Sequence, residues 1–349
     1  MEMLNNFSLI LGFNLWHNII SWFGSWIVNY GWAIIVFTIA LKLIMSPLDV
    51  YQRIQSKKQQ KFQAVMQPEL QAIQAKYAND REKLNQETAK LYKKYNFNMG
   101  GMCFSMLITL GLSMVVFLTL FSSLRSYGNG KLYDSYARLD NAYTQTVASE
   151  SYLNASTDEE KSNILNTAIK NEYEILEDEN SWLWVKNVWK KDANESQFVS
   201  FDDYANHKGI KDVEGDNART LAKERYDYIT KTIEGEKASP NGYYILIILA
   251  VAISFLTQWL STKLTMPKGQ KLNTMNKVMM VIIPLTMVIF AFTSNVVFTL
   301  YVIMNSVMTA IITTILTFVM KKKNKGNDED IVLPKKNVEV VEYSRNYKK

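Results

Sequence analysis

The chain contains apolar segments long enough to cross a lipid bilayer, and one of them carries a lysine. The segment Gly31–Leu48 has 18 residues and a single charged side chain, that of Lys42. A helix of that length extends about 27 Å, close to the thickness of a bilayer core. An ionisable group at such depth costs about 3 kcal/mol, so it is usually retained for a function. Alternatively, Lys42 reaches the interface near Asp49 through its long aliphatic stem.

Four further apolar segments bring the number of expected spans to five. The composition agrees, because 48% of the residues are hydrophobic while the mean hydropathy is only −0.10. Such values are typical of membrane spans joined by very polar segments. We therefore predict an all-α membrane protein with five transmembrane helices, at residues 30–48, 99–124, 241–262, 278–293 and 294–320.

Basic residues are concentrated in three of the segments between and after these spans. Ten Lys or Arg lie between Arg53 and Lys94, four lie in residues 263–277, and nine follow Met320. The positive-inside rule places all three segments in the cytoplasm. The N-terminus is then outside, the C-terminus is inside, and residues 125–240 form an external insert.

Residues 1–29 predict an amphipathic helix on the outer membrane surface. Trp16, Ile20 and Phe23 fall on one helical face, and polar residues such as His17 fall on another. A signal peptide is not expected, since it requires a basic start and no Lys or Arg precedes Lys42. An additional span is the alternative.

Residues 49–98 predict a cytoplasmic helical hairpin. The segment is rich in helix-forming residues, and Asn79 precedes Glu82 by three positions, as at the start of a capped helix. The turn is therefore expected at 78–80, and Pro68 is expected to kink or break the first arm. The hairpin either serves as a solvated connection or binds ribosomal RNA, anionic lipid or a partner protein.

The external insert, residues 125–240, is expected to be mainly helical. Trp182, Val185 and Trp189 would share one face of a helix that lies on the membrane surface. Its role stays open between a spacer and a partner-binding domain.

Residues with catalytic or metal-binding chemistry are scarce. Cys103 is the single cysteine, and the two histidines, His17 and His207, are far apart. A disulfide and a zinc site are therefore not expected. The sequence also has no phosphate loop and no nucleophile elbow, so neither an enzyme nor a cofactor is predicted.

The order of the parts, and several short motifs, resemble the YidC insertases, relatives of the mitochondrial oxidase-assembly and chloroplast Albino insertases. The matching elements are a basic residue five positions before Pro-Leu in 40–48, Gln-Pro-Glu-Leu at 67–70 with Lys76-Tyr77, Lys90–Lys93, Leu183–Val185, Leu256–Gln258, and Tyr301 with Asn305.

The chain departs from the family pattern at several positions. Lys42 stands where the family usually has an arginine, and Thr109 stands where it usually has a glutamine. The usual prolines of the second span are Met99, Ser105 and Gly111, and the aromatic residue usually next to Tyr301 is Val302. The groove implied by the resemblance is therefore expected to be less polar than usual.

The resemblance implies a bacterial plasma membrane insertase that acts on nascent membrane proteins through a hydrophilic groove. Its expected residues are Lys42, Thr109, Gln258, Tyr301 and Asn305. The expected partners are the ribosome, contacted in part by the basic tail 321–349, and the lipid bilayer, with the Sec translocon as a further candidate. The protein is expected to act as a monomer. The alternatives are a membrane-anchored assembly scaffold and a transporter, although a transporter would be expected to show internal repeats.

Overall fold

A computed structural model describes residues 13–95, 99–211, 217–237, 240–265 and 274–324. Those ranges contain helices and, apart from one isolated bridge, no strand. The helices are α1 (Phe13–Trp26), α2 (Tyr30–Lys76), α3 (Arg81–Lys94), α4 (Met99–Val147), α5 (Glu150–Leu153), α6 (Asp158–Asn180), α7 (Phe201–Lys208), α8 (Ala218–Lys237), α9 (Ile245–Thr265), α10 (Thr274–Thr293) and α11 (Val296–Asn324).

Three of the described helices are long and apolar enough to cross a membrane. The candidate spans are Tyr30–Gln55 in α2, Ile245–Leu264 in α9 and Val296–Met320 in α11. The predicted spans 99–124 and 278–293 fall within α4 and α10. The all-α class is therefore confirmed, while the count of five spans stays a prediction.

The first predicted span and the first hairpin arm form one continuous helix. Helix α2 runs for 47 residues and includes both Pro47 and Pro68, so the break considered at Pro68 is absent. Residues around Pro68 are strong helix formers, and Met66 is buried, which offsets the loss of one backbone hydrogen bond.

The chain reverses direction after α2, near the predicted turn. Asp80 rather than Asn79 caps α3, since its side chain accepts a hydrogen bond of 3.0 Å from the backbone N–H of Lys83. The hairpin closes at its other end through Glu69, which accepts hydrogen bonds from Lys94 Nζ at 3.0 Å and from the Tyr95 hydroxyl at 2.6 Å.

The chain divides into two compact units. The first comprises residues 1–44, 115–258 and 278–308, and the second comprises residues 45–114, 259–277 and 309–349. The insert belongs to the first unit, and the hairpin belongs to the second.

The insert has a hydrophobic core of its own within the first unit. Helices α4 and α6 are also joined by charge, because Arg138 binds Glu172 at 2.6 Å and Glu179 at 2.9 Å. The buried side chains of this core are Tyr136, Leu139, Leu165, Ile169, Tyr173, Leu176, Val199, Tyr204, Ile229 and Ile233.

Residues 181–200, here called the collar loop, do not form the predicted surface helix. Trp182 and Val185 instead exchange two backbone hydrogen bonds of 2.9 Å in a tight turn. Val185, Val188 and Trp189 are buried in one cluster with residues of α4, α9 and α11. Packing against those helices determines the conformation of this loop. A helical spacing of apolar residues in the sequence gives no indication of such packing.

Candidate substrate groove

The collar loop lies at the start of α2. Asn29 caps this helix by accepting a hydrogen bond of 3.2 Å from the backbone N–H of Trp32. Its side-chain amide also donates to the carbonyl oxygens of Asp178 at 2.8 Å and Ser181 at 2.7 Å. Gly31 allows this approach, since a Cβ there would lie 2.4 Å from Cδ1 of Trp182.

The collar loop also caps α9. The carboxylate of Asp192 is buried and accepts hydrogen bonds from the backbone N–H groups of Tyr243 at 2.8 Å and Leu246 at 2.6 Å. Residue 242 must be a glycine in this arrangement, because a Cβ there would lie 1.9 Å from Oδ1 of Asp192.

The start of α11 is held by the same loop. The backbone N–H of Val296 donates to the Lys190 carbonyl at 2.8 Å, and that of Val297 donates to the Val188 carbonyl at 3.1 Å. Asn295 caps the next amide, that of Phe298, at 3.1 Å. Helices α2, α9 and α11 therefore all begin at the collar loop, on the same side of the first unit.

This common starting level allows the depths of the polar residues to be compared. At about 1.5 Å per residue, Lys42 lies about 18 Å along α2 and Gln258 about 20 Å along α9. By the same measure Tyr301 lies about 8 Å and Asn305 about 14 Å along α11. Lys42 and Gln258 thus lie at similar depth, with Asn305 about one helical turn nearer the collar loop, and all three lie inside spans long enough to cross a bilayer core.

A polar seam joins α9 to α11 at this depth. The hydroxyl groups of Ser254 and Ser306 are 3.2 Å apart, and Thr257 donates to the Ser306 carbonyl at 3.2 Å. Gln258 and Asn305 are half-buried and adjoin these residues in sequence. The two predicted amides therefore flank a place where polar groups meet between apolar helices.

The other two predicted residues of the first unit differ in their burial. Lys42 is half-buried and lies one turn after Thr38, whose buried hydroxyl donates to the Ile34 carbonyl at 2.6 Å. Tyr301 is buried, with its ring 5.9 Å from that of Phe298. Tyr301 therefore belongs to the hydrophobic cluster of this unit as well as to the predicted site.

Thr109 belongs to the second unit, and its side chain lies outside the described residues. Its place in a groove stays a prediction. Residues 325–349, most of the predicted basic tail, also lie outside the described ranges.

Sequence reasoning missed a second cation within the candidate span of α2. Arg53 falls inside the candidate span Tyr30–Gln55, and its guanidinium lies 3.4 Å from both the hydroxyl and the carbonyl oxygen of Ser261. The spacing of charged residues in the sequence indicates this position. Lys42, Asp49 and Arg53 follow at intervals of seven and four residues and so share one helical face.

The sequence profile of the 60Kd inner membrane protein family matches residues 22–325, from within α1 to just beyond α11. The chain belongs to this family. The match confirms the resemblance drawn from the motifs.

Three relatives of this family member, each named membrane protein insertase YidC, illustrate the similarity. The Anaeromyxobacter protein (strain Fw109-5) is 35% identical over 109 residues, which are 31% of this chain and 19% of that protein. The Oleidesulfovibrio alaskensis protein is 40% identical over 105 residues, 30% of this chain and 18% of the relative. The Caldanaerobacter subterraneus protein is 37% identical over 99 residues, which are 28% of this chain and 44% of the relative. The matched region thus spans less than half of each relative.

Proposed function

We propose that this chain is a membrane protein insertase, which transfers hydrophobic segments of nascent membrane proteins from the cytoplasm into the bilayer. The observation that carries the proposal is the placement of Lys42, Gln258 and Asn305 within about one helical turn of the same depth, on three helices that start at one loop. Family membership and the names of the relatives support the same assignment.

The proposed mechanism lowers the cost of moving polar chain through hydrocarbon. An acidic tail that leaves water unaided faces a large desolvation penalty. Lys42 provides a temporary counter-charge, and Gln258, Asn305 and Tyr301 provide hydrogen-bond partners, with Thr109 as a further predicted one. The apolar part of the substrate then enters the lipid, and its burial drives the transfer without a nucleotide or a catalytic residue.

The proposal includes the predicted topology. Five spans cross a bacterial plasma membrane, with the N-terminus and the insert outside and the hairpin and the C-terminus in the cytoplasm. The basic residues of 49–98 and 321–349 support this orientation. The same basic residues provide the charge for contact with the ribosome. The Sec translocon is a further proposed partner. The proposed active form is a monomer.

Reconstitution tests this proposal. The purified chain in liposomes should protect the translocated tail of a newly synthesised membrane protein from protease, whereas liposomes without the chain should not. Ion and solute flux should stay at the level of empty liposomes. Flux without insertion would instead support the transporter alternative.

The assembly scaffold is kept as a second candidate because the insert has its own hydrophobic core. A scaffold would depend on the surface of α5–α8 and would tolerate the loss of Lys42. An insertase would depend on Lys42 and would tolerate changes to the surface of α5–α8. The variants that test this must both keep the collar loop.

A further inference from the structure

The first unit contains a cavity of about 300 Å³ that the proposed insertion pathway does not use. It lies where α4, the collar loop and the connection between α10 and α11 meet. Its lining includes Phe121 and Arg125 from α4, Lys190 and Lys191 from the collar loop, and Asn295 before α11.

The cavity lies at the level where apolar helices end. Val296 begins the candidate span of α11, so Asn295 directly before it marks an edge of the hydrocarbon region. Arg125 directly follows the apolar stretch 115–124 of α4. One wall is aromatic, since the rings of Phe121 and Phe298 meet edge to face at 4.9 Å. An apolar wall beneath cations at this level is typical of the lipid headgroup layer.

The charge of the cavity is positive. Glu195 is the one acidic residue of the described lining, and its carboxylate lies 4.0 Å from Lys190 Nζ, which it largely balances. Arg125 and Lys191 are exposed and supply the remaining positive charge. The first backbone amides of α11 are already bonded to the collar loop and to Asn295, so side chains rather than a helix end must bind a ligand here.

We propose that this cavity binds the phosphate group of an anionic phospholipid from the leaflet on the side of the collar loop. Arg125 and Lys191 contact the phosphate, and the acyl chains extend along the apolar part of α4 beside Phe121. Guanidinium and ammonium groups bind phosphate oxygens with charge-assisted hydrogen bonds. The cavity is at the small end of ligand sites, which fits a headgroup and not a polypeptide segment. This inference is independent of the proposed insertase activity.

The test uses the full-length chain in nanodiscs of phosphatidylcholine mixed with phosphatidylglycerol, with lipid retained after gentle extraction counted by native mass spectrometry. The wild type should retain phosphatidylglycerol in preference to phosphatidylcholine. The double variant Arg125→Gln/Lys191→Gln should lower that retention at least about tenfold, because each position loses a charged hydrogen bond and one such bond alone accounts for about tenfold. The control Lys211→Gln/Lys231→Gln removes two exposed charges from elsewhere on the insert and should leave retention unchanged.

Two further arms identify the source of the phosphate. Inorganic phosphate or glycerol phosphate added at millimolar concentration should not displace the lipid, because neither packs against the aromatic wall. Displacement by either would assign the cavity to a soluble anion and overturn the lipid proposal. Equal loss in the control variant, or no preference for phosphatidylglycerol in the wild type, would also overturn it. So would crosslinking of residue 125 to a nascent chain in place of lipid.

Discussion

Lys42 is the residue on which the proposed mechanism depends most. It is a lysine where the resembling insertases usually have an arginine, so a positive charge is retained while the planar, bidentate geometry is lost. On the preceding turn Phe37 and Thr38 are buried, and Thr38 is satisfied within its own helix. Lys42 also lies within the candidate span Tyr30–Gln55, and inside a bilayer solvent screening is weak and a counter-charge has a large effect.

Substitution of Lys42 separates charge from shape. We expect Lys42→Arg to retain insertion, and Lys42→Ala to reduce it about tenfold for substrates with acidic translocated tails, since a hydrogen bond to a charged group contributes about 1.5–3 kcal/mol. Protease protection in proteoliposomes measures the effect. A neutral-tailed version of the same substrate is the control, and an equal loss for both tails would contradict the electrostatic role.

A second residue, Tyr173 in α6, reports on the core of the insert. Burial, together with the charge of Glu177, raises the pKa of its phenol to about 12 from the ordinary 10.0. The pKa of this phenol is higher in the folded chain than in the unfolded one. Its contribution to the free energy of unfolding is therefore fully present below about pH 10 and is lost as the pH rises through 12.

The titration of Tyr173 is measurable by phenolate absorbance. The difference in phenolate absorbance between the wild type and Tyr173→Phe should develop near pH 12. The helical circular dichroism of the wild type should fall over the same pH range. A difference centred near pH 10 would show that this phenol is not buried in the folded chain.

Among the elements, the collar loop orders more of the fold than its lack of helix suggests. The Ser181 carbonyl binds Asn29 at the start of α2, the Asp192 carboxylate binds the start of α9, and the Lys190 carbonyl binds the start of α11. Unpaired amides at helix starts are costly when buried, so these contacts stabilise the helices and set their common level. A deletion of the whole insert would remove these caps along with any partner-binding surface.

The cap at Asp192 provides a direct test of this role. We expect Asp192→Ala to lower the free energy of unfolding by about 2 kcal/mol, since the buried N–H of Leu246 and the partly buried N–H of Tyr243 lose their acceptor. Denaturant unfolding of the full chain in detergent measures it. The exposed Asp134→Ala in α4 is the matched control and should change stability by less than about 0.5 kcal/mol. Equal stability of the two variants would exclude a capping role for Asp192.

The elements differ in how far the sequence predicts them. Helices α2, α9 and α11 are predictable because each contains a long apolar run, and the hairpin turn is predictable from residues 78–80. The collar loop is not, because its shape depends on contacts with residues more than 50 positions away, such as Asp192 with Leu246. Arg53 was missed because the charges after Leu48 suggested that the membrane segment had ended.

In the proposed mechanism, the basic segments and the apolar helices of the molecule serve one process. The tail from Lys321 begins with four lysines in five residues, and Asp328–Asp330 moderate its charge. We expect truncation at Lys321 to weaken ribosome co-sedimentation at low salt, with the difference disappearing as salt rises. Unchanged co-sedimentation of the truncated chain at low salt would show that the tail does not contribute to ribosome binding.

A substrate groove beside Lys42 can be probed by photo-crosslinking to a ribosome-bound nascent chain. One photoreactive residue replaces Lys42, and its matched control replaces Ile44, which lies two residues further along α2 and is 77% exposed. The substrate carries a neutral translocated tail, so its passage does not need the lysine charge. We predict strong crosslinking to the nascent chain from position 42 and little from position 44. Equal crosslinking from both positions, or none from position 42, would contradict a substrate groove beside Lys42.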